Sequence, residues 1–127
     1  PALAAIDRAM LGHSRDPDHR WLLSDRAGFC YRRHGEVVGY GYVGTFSGPF
    51  ALLDPADQPA VLAHAESVAV EAGRDHFGLF VPLTNTVAVG HLLSRGYRLD
   101  PFIATYFCDG LPPRFTSYVV TDPPFFI

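Results

Sequence analysis

The chain has 127 residues, 48% of them hydrophobic and 18% charged, a composition that suits one folded domain with its own core and excludes disorder. The formal net charge is −3 and no run of Lys or Arg stands out, which argues against a nucleic-acid partner. No apolar run nears the roughly 20 residues needed to span a bilayer and no leader pattern is visible, so the expectation is no membrane partner and a cytoplasmic location.

Residues 2–12 read as a helix, with Leu3, Ile6, Met10 and Leu11 as the apolar stripe and Gly12 as the stop. A charged loop follows, in which Asp16-Pro17 favours a turn and Asp18 can cap a short helix leading into Trp21, Leu22 and Leu23. Three extended segments come next: 28–33, 37–44 and 49–54, with a tight turn at His34-Gly35-Glu36 and another at 45–48. They read as an antiparallel meander. On the second segment Gly39 and Gly41 share one face, which leaves room for something to approach closely, while Val38, Tyr40 and Tyr42 share the other.

Residues 59–72 read as an Ala-rich helix with Pro59 near its first turn and Gly73 after its end. Then come a strand-like run over 76–83, a short helix from Asn85 to Gly96, a second extended run over 97–108, a break at Pro112-Pro113, a last strand over 115–120, and a tail of D-P-P-F-F-I. Thr84 or Asn85 can cap the short helix, because a side-chain oxygen there accepts from an otherwise unpaired N–H. The order predicts an α+β fold: a mixed, mostly antiparallel sheet with helices on both faces, in one domain.

Within the short helix, Asn85, Ala88, Gly96 and Tyr97 are spaced as in the N-x-x-A … G-F/Y signature, and the chain resembles the GNAT N-acetyltransferase superfamily. The resemblance covers nearly the whole order of elements, with one departure: the family's sheet starts with a strand before the first helix, and here that first strand is missing. Together with residues 6–23 and 95–120, this resembles the C-terminal half of a tandem-GNAT protein, and the chain begins with Pro. The implied partners are an N-terminal GNAT domain, or a homodimer mate, because a sheet without its terminal strand has backbone groups left to pair.

The resemblance also implies a site. Acetyl-CoA, as co-substrate, docks where two strands splay apart, with its pyrophosphate at the start of the helix after the meander, where unpaired donors and the helix dipole attract an anion. The family pattern Q/R-x-x-G-x-G/A falls on Gln58, Val61 and Ala63; Val61 stands where the family has glycine, and Pro59 removes one donor. Leu53 is the implied carbonyl-polarising N–H, and Asn85 marks the second helix. Leu92 stands where many members carry a Tyr that protonates the leaving thiolate, so the catalytic residues stay unassigned. The acceptor implied is a small-molecule amine.

Read from the residues alone, 58–63 is a helix start, Asp54 is a turn residue, and His64 and His91 are structural or surface histidines. The aromatics Tyr31, Tyr40, Tyr42, Phe46 and Phe50 are either the wall of an apolar pocket or ordinary strand packing. Cys30 and Cys108 read as buried free thiols, and no His or Cys spacing suits a metal. Three function classes follow: an acyl-CoA N-acyltransferase, degenerate at Val61 and Leu92; a non-catalytic half that supports a catalytic domain or mediates dimerisation; or a small-ligand binding module that uses the aromatic pocket without transfer chemistry.

Overall fold

The computed structural model describes residues 1–124. Two helices open the chain, α1 (Ala2–Leu11) and α2 (Asp16–Leu22), followed by strands β1 (Arg26–Arg33), β2 (Glu36–Gly44) and β3 (Phe50–Leu52). A 3-10 turn, Pro55–Asp57, runs straight into α3 (Gln58–Glu71); α4 (Thr86–Ser94), a second 3-10 turn, Phe115–Ser117, and a two-residue strand, β4 (Tyr118–Val119), complete the described elements. The four strands form one sheet in the order β1-β2-β3-β4, so the fold is α+β. No described helix is long and apolar enough to cross a membrane.

The meander forms as the sequence dictates. Arg33 pairs with Glu36 across His34 (φ 50) and Gly35 (φ 83), the two positive-φ residues that a tight hairpin with right-handed strand twist demands. Gly39 faces Leu52 and Gly41 faces Phe50 across the β2–β3 ladder. A Cβ on Gly39 would lie 2.2 Å from Leu52 Cδ2, and one on Gly41 2.2 Å from Phe50 Cδ1. What approaches the glycine face is therefore the chain's own core, not a ligand.

That core has two layers. On the glycine face, Val43, Phe50 and Leu52 pack against Val61, Leu62 and Ala65 of α3 and Ala88 and Leu92 of α4. On the other face, Tyr40, Tyr42, Ala51 and Tyr118 pack against Ile6 and Met10 of α1 and Leu22 of α2. Each fully buried Leu or Phe contributes about 1.5–3 kcal/mol. Helices thus cover both faces.

Several expectations fail on the C-terminal side. Residues 76–83 form no strand; their one ladder contact is a bridge from Phe80 to Val120. Residues 97–108 form no strand either, and of 115–120 only Tyr118–Val119 is a strand. All described ladders are antiparallel, so the mixed character of the sheet is not formed among the described residues. The reason is occupancy. β4 pairs with Phe50 and Ala51 and so takes the edge of β3 that β2 leaves open, and Pro82 has no N–H to give a ladder. Cys30 and Cys108 are free but exposed, not buried: Cys30 lies opposite the Phe29–Tyr31 face of an edge strand, and Cys108 lies outside any element. Of the expected tail, residues 125–127 lie outside the described residues.

Candidate functional site

The Asn85 helix forms, and Asn85 is its cap: Oδ1 accepts from the Ala88 N–H at 3.2 Å. The same side chain is fully buried and donates from Nδ2 to Gln58 Oε1 at 2.5 Å and to the Tyr118 carbonyl at 3.1 Å. Gln58, also buried, spends its own amide on the carbonyls of Pro55 and Thr116, each at 3.2 Å. Two candidate residues chosen from opposite parts of the chain therefore meet, and their joint work is to tie the starts of α3 and α4 to the strand at the β3 edge. An amide is well suited to this, since it offers two donors and an acceptor without carrying charge into the interior.

The start of α3 has few free donors. The Gln58 N–H donates to the Pro55 carbonyl, the Asp57 N–H to the Asp54 carbonyl, and the Ala56 N–H to Asp54 Oδ1 at 2.9 Å. Pro55 and Pro59 have none to give. The 3-10 turn has thus spent the Ala56, Asp57 and Gln58 amides within the chain instead of leaving them open to an anion. The Asp54 and Asp57 carboxylates stand around it, with Arg33 as their ion-pair partner. The Leu53 N–H donates to the Val38 carbonyl at 2.9 Å, inside the sheet. Val61 is buried in the core beneath α3, and Ala63 is half-buried with its carbonyl accepting from Ser67 Oγ.

A cavity of about 1170 Å³ lies elsewhere. It is a groove between α3, α4 and residues 76–106, with Leu92, Leu93, Phe80 and Phe102 on its walls and the Glu66–Arg95 ion pair (2.8 Å) among its lining. Tyr97 donates to Glu66 at 3.2 Å, and its phenol is pushed up to about 12, first by burial and then by the carboxylate beside it. Leu53, Gln58, Val61, Ala63 and Asn85 do not line this groove. A smaller hollow of about 430 Å³, between β1 and the first half of α3, is lined by Val61, Asp57, Phe29, Tyr31 and His64. The Tyr31 hydroxyl and His64 Nδ1 are hydrogen-bonded there at 3.1 Å, and burial raises the Tyr31 phenol.

The expected aromatic cluster does not form one wall. Tyr40 and Tyr42 face α1, Phe50 faces α3, Tyr31 faces His64, and Phe46 is exposed. Alternation along the strands sends them to opposite sides.

The sequence reading missed a buried polar network on the α1 face. Asp7 Oδ2 bonds His19 Nε2 at 2.9 Å, and Oδ1 accepts from the Tyr40 hydroxyl at 2.7 Å. His19 Nδ1 lies 2.8 Å from the Tyr42 hydroxyl, and the Arg15 guanidinium donates to the Tyr118 hydroxyl at 2.5 Å. The tautomer that serves both partners donates from Nε2 and accepts at Nδ1. Burial alone would raise Asp7, but the hydrogen bonds from His19 and Tyr40 outweigh it and hold the carboxyl below its ordinary value. Burial pushes the Tyr42 and Tyr118 phenols up to about 12. Protonated, enclosed phenols are poor nucleophiles, so this network is a clamp joining α1 and α2 to β2 and β4. One signal was available: Asp7 sits four residues after Leu3 and three before Met10, on the apolar stripe itself.

Among the described residues, no group of three or more His, Cys, Asp or Glu is placed to hold a metal ion. Comparisons with family models, with curated proteins and with solved structures find no match.

Proposed function

We propose that the chain is a GNAT-type module of N-acetyl transfer, in which an acetyl group passes from acetyl-CoA to a small-molecule amine in the cytoplasm without a metal. The observation that supports it is the meeting of Gln58 and Asn85. They were singled out on resemblance, stand 27 residues apart, and are hydrogen-bonded to each other next to the end of β3. Transfer of this kind is direct attack of the amine nitrogen on the thioester carbonyl carbon; the coenzyme leaves as the thiol and the amine loses a proton. The protein's share is positioning and carbonyl polarisation.

A second reading is favoured by a specific observation. The amides of Leu53, Ala56, Asp57 and Gln58 already have partners, so this chain as folded offers a phosphate little. In that reading the chain is a non-catalytic half that supports an N-terminal GNAT domain or a homodimer mate. Titration of acetyl-CoA into the ¹⁵N-labelled chain separates the two. Amide shifts at Ala60, Val61 and Leu62, saturating in the micromolar range, support transfer by this chain. No shift at millimolar coenzyme rejects it in favour of the supporting role.

A further inference from the structure

The hollow of about 430 Å³ between β1 and the first half of α3 is of small-ligand size. Its walls are apolar and aromatic: Val38 and Val61, and the rings of Phe29, Tyr31 and His64. The imidazole plane stands at 84° to each of the other two rings, with its centroid 4.9 Å from Phe29 and 5.6 Å from Tyr31. The bond between the Tyr31 hydroxyl and His64 Nδ1 at 3.1 Å holds those two side chains against each other. One carboxylate shares this lining, and only half of it is used. Asp57 Oδ1 accepts from Arg33, whereas Oδ2 is enclosed and has no hydrogen-bond partner among the described residues. An enclosed carboxylate oxygen without a donor is costly, more so than a neutral acceptor, and calls for a donor from outside the chain.

We propose that this hollow binds an organic ammonium: a primary amine, charged at neutral pH, on an aromatic body of arylethylamine size. The ammonium donates to Asp57 and the body lies against the rings. Three observations select a cation that carries N–H groups. The unmatched Asp57 oxygen accepts and does not donate, so a carboxylate or phosphate is repelled there, and a quaternary ammonium has no proton to give it. The faces of Phe29 and Tyr31 carry the negative side of the ring quadrupole, which attracts a cation. The two arginines of the lining leave room for it. Arg32 donates to the Gly35 carbonyl at 3.0 Å, at the hairpin turn. The Arg33 side chain is 51% exposed and pairs with Asp54 as well as Asp57, so it can keep Asp54 while the ammonium takes Asp57. Arg33 is thus the movable cover of the seat. The seat goes beyond the acetyl-transfer reading and does not rest on it, since binding here involves no coenzyme.

Titration of 2-phenylethylamine into the ¹⁵N-labelled chain at pH 7, without coenzyme, tests it. Saturating shifts at the Tyr31, Asp57, Ala60 and Val61 amides are expected, with a Kd at or below about 1 mM. The uncharged 2-phenylethanol, of the same shape, and the anionic 3-phenylpropanoate each bind at least about tenfold more weakly. Asp57→Asn keeps the size of the side chain and suits a helix start equally well. It weakens the amine at least about tenfold and leaves the alcohol unmoved. Arg33→Gln, at an exposed position, tightens the amine about threefold or more, because the competitor for Asp57 is gone. No saturation by about 20 mM amine, equal affinity for amine and alcohol, indifference to Asp57→Asn, or no gain in Arg33→Gln overturns the proposal.

Discussion

Asn85→Ala should be among the costliest single substitutions in this chain. The alanine keeps the helical backbone but removes three hydrogen bonds at once: the cap on Ala88, the bond to Gln58 at 2.5 Å and the bond to Tyr118 at 3.1 Å. The cap contributes about 1 kcal/mol. The two acceptors left behind are buried, and each unsatisfied one costs about 1–3 kcal/mol. These terms overlap, so the expected loss is about 3–5 kcal/mol, a large share of the roughly 5–15 kcal/mol that holds a domain together. Urea unfolding followed by far-UV circular dichroism reads the loss as a lower midpoint at unchanged slope. The reasoning also requires coupling. Gln58→Ala alone should cost about 2 kcal/mol, and the double variant should cost at least about 0.5 kcal/mol less than the sum. An Asn85→Ala cost below about 1 kcal/mol, or strict additivity with Gln58→Ala, would show that this pair does not hold the sheet edge.

Four further outcomes follow. Gly41→Ala should destabilise by about 1–3 kcal/mol, since the new Cβ would sit 2.2 Å from Phe50 Cδ1; Gly90→Ala should instead stabilise by about 0.5–1 kcal/mol, because a Cβ there meets nothing within 4 Å inside α4. Thermal melts of the two variants must move in opposite directions. Asp7 is held below its unfolded value of 3.8, so the stability it contributes is complete above that pH and is lost as pH falls through the lower folded value. Urea midpoints taken from pH 7 downward should therefore fall less steeply in Asp7→Asn than in the parent chain. Tyr42 and Tyr118 shift the other way: the folded state holds their protons more tightly, so their contribution is full below 10.0 and is lost as pH rises toward about 12. Tyr42→Phe should flatten that alkaline limb when stability is followed over the same range.

What was legible in the sequence was whatever local chemistry decides. The His34-Gly35 turn, the Asn85 cap, the helix over 58–71 and the opposed faces of β2 all rest on neighbours in the chain, and they formed where expected. The strands over 76–83 and 97–108 were read from apolar content, which says that a segment has something to bury but not which edge will receive it. That was settled by a competitor, β4, anchored from Gln58 and Asn85. The site was legible in the same measure. Resemblance found Gln58 and Asn85, but their bonds to each other and the 3-10 turn before α3 are tertiary facts. The Asp7–His19 pair is a related case: a carboxylate at Asp7, on an apolar stripe, calls for a buried partner, but that the partner is His19 is a tertiary fact.

The two halves of the molecule are held by different physics. On the α1 face, the hydrogen bonds of Asp7, His19, Tyr40 and Tyr42 join α1, α2 and β2, three elements that also share an apolar layer, so losing one bond leaves the packing in place. On the α3 face, β4 has only two residues of ladder. Beyond that ladder, the C-terminal segment is tied by backbone bonds from Val120 to Phe80 and from Asp122 to Ser47, and by single side chains reaching in from elsewhere: Arg15 to Tyr118, Gln58 to Thr116, Asn85 to Tyr118, and Arg26 to Thr121 and Asp122. A two-residue ladder contributes little by itself, since even an isolated two-stranded hairpin is marginal at best. The C-terminal strand is therefore kept on the β3 edge by buried side-chain donors as well as by its own short backbone ladder. Amide exchange should report this directly: the Phe50 and Val119 N–H groups, which face each other across the β3–β4 ladder, should lose protection in Asn85→Ala while those of β1 and β2 keep theirs. Equal loss across all four strands would mean that the sheet opens as one cooperative unit and that the edge has no separate stability.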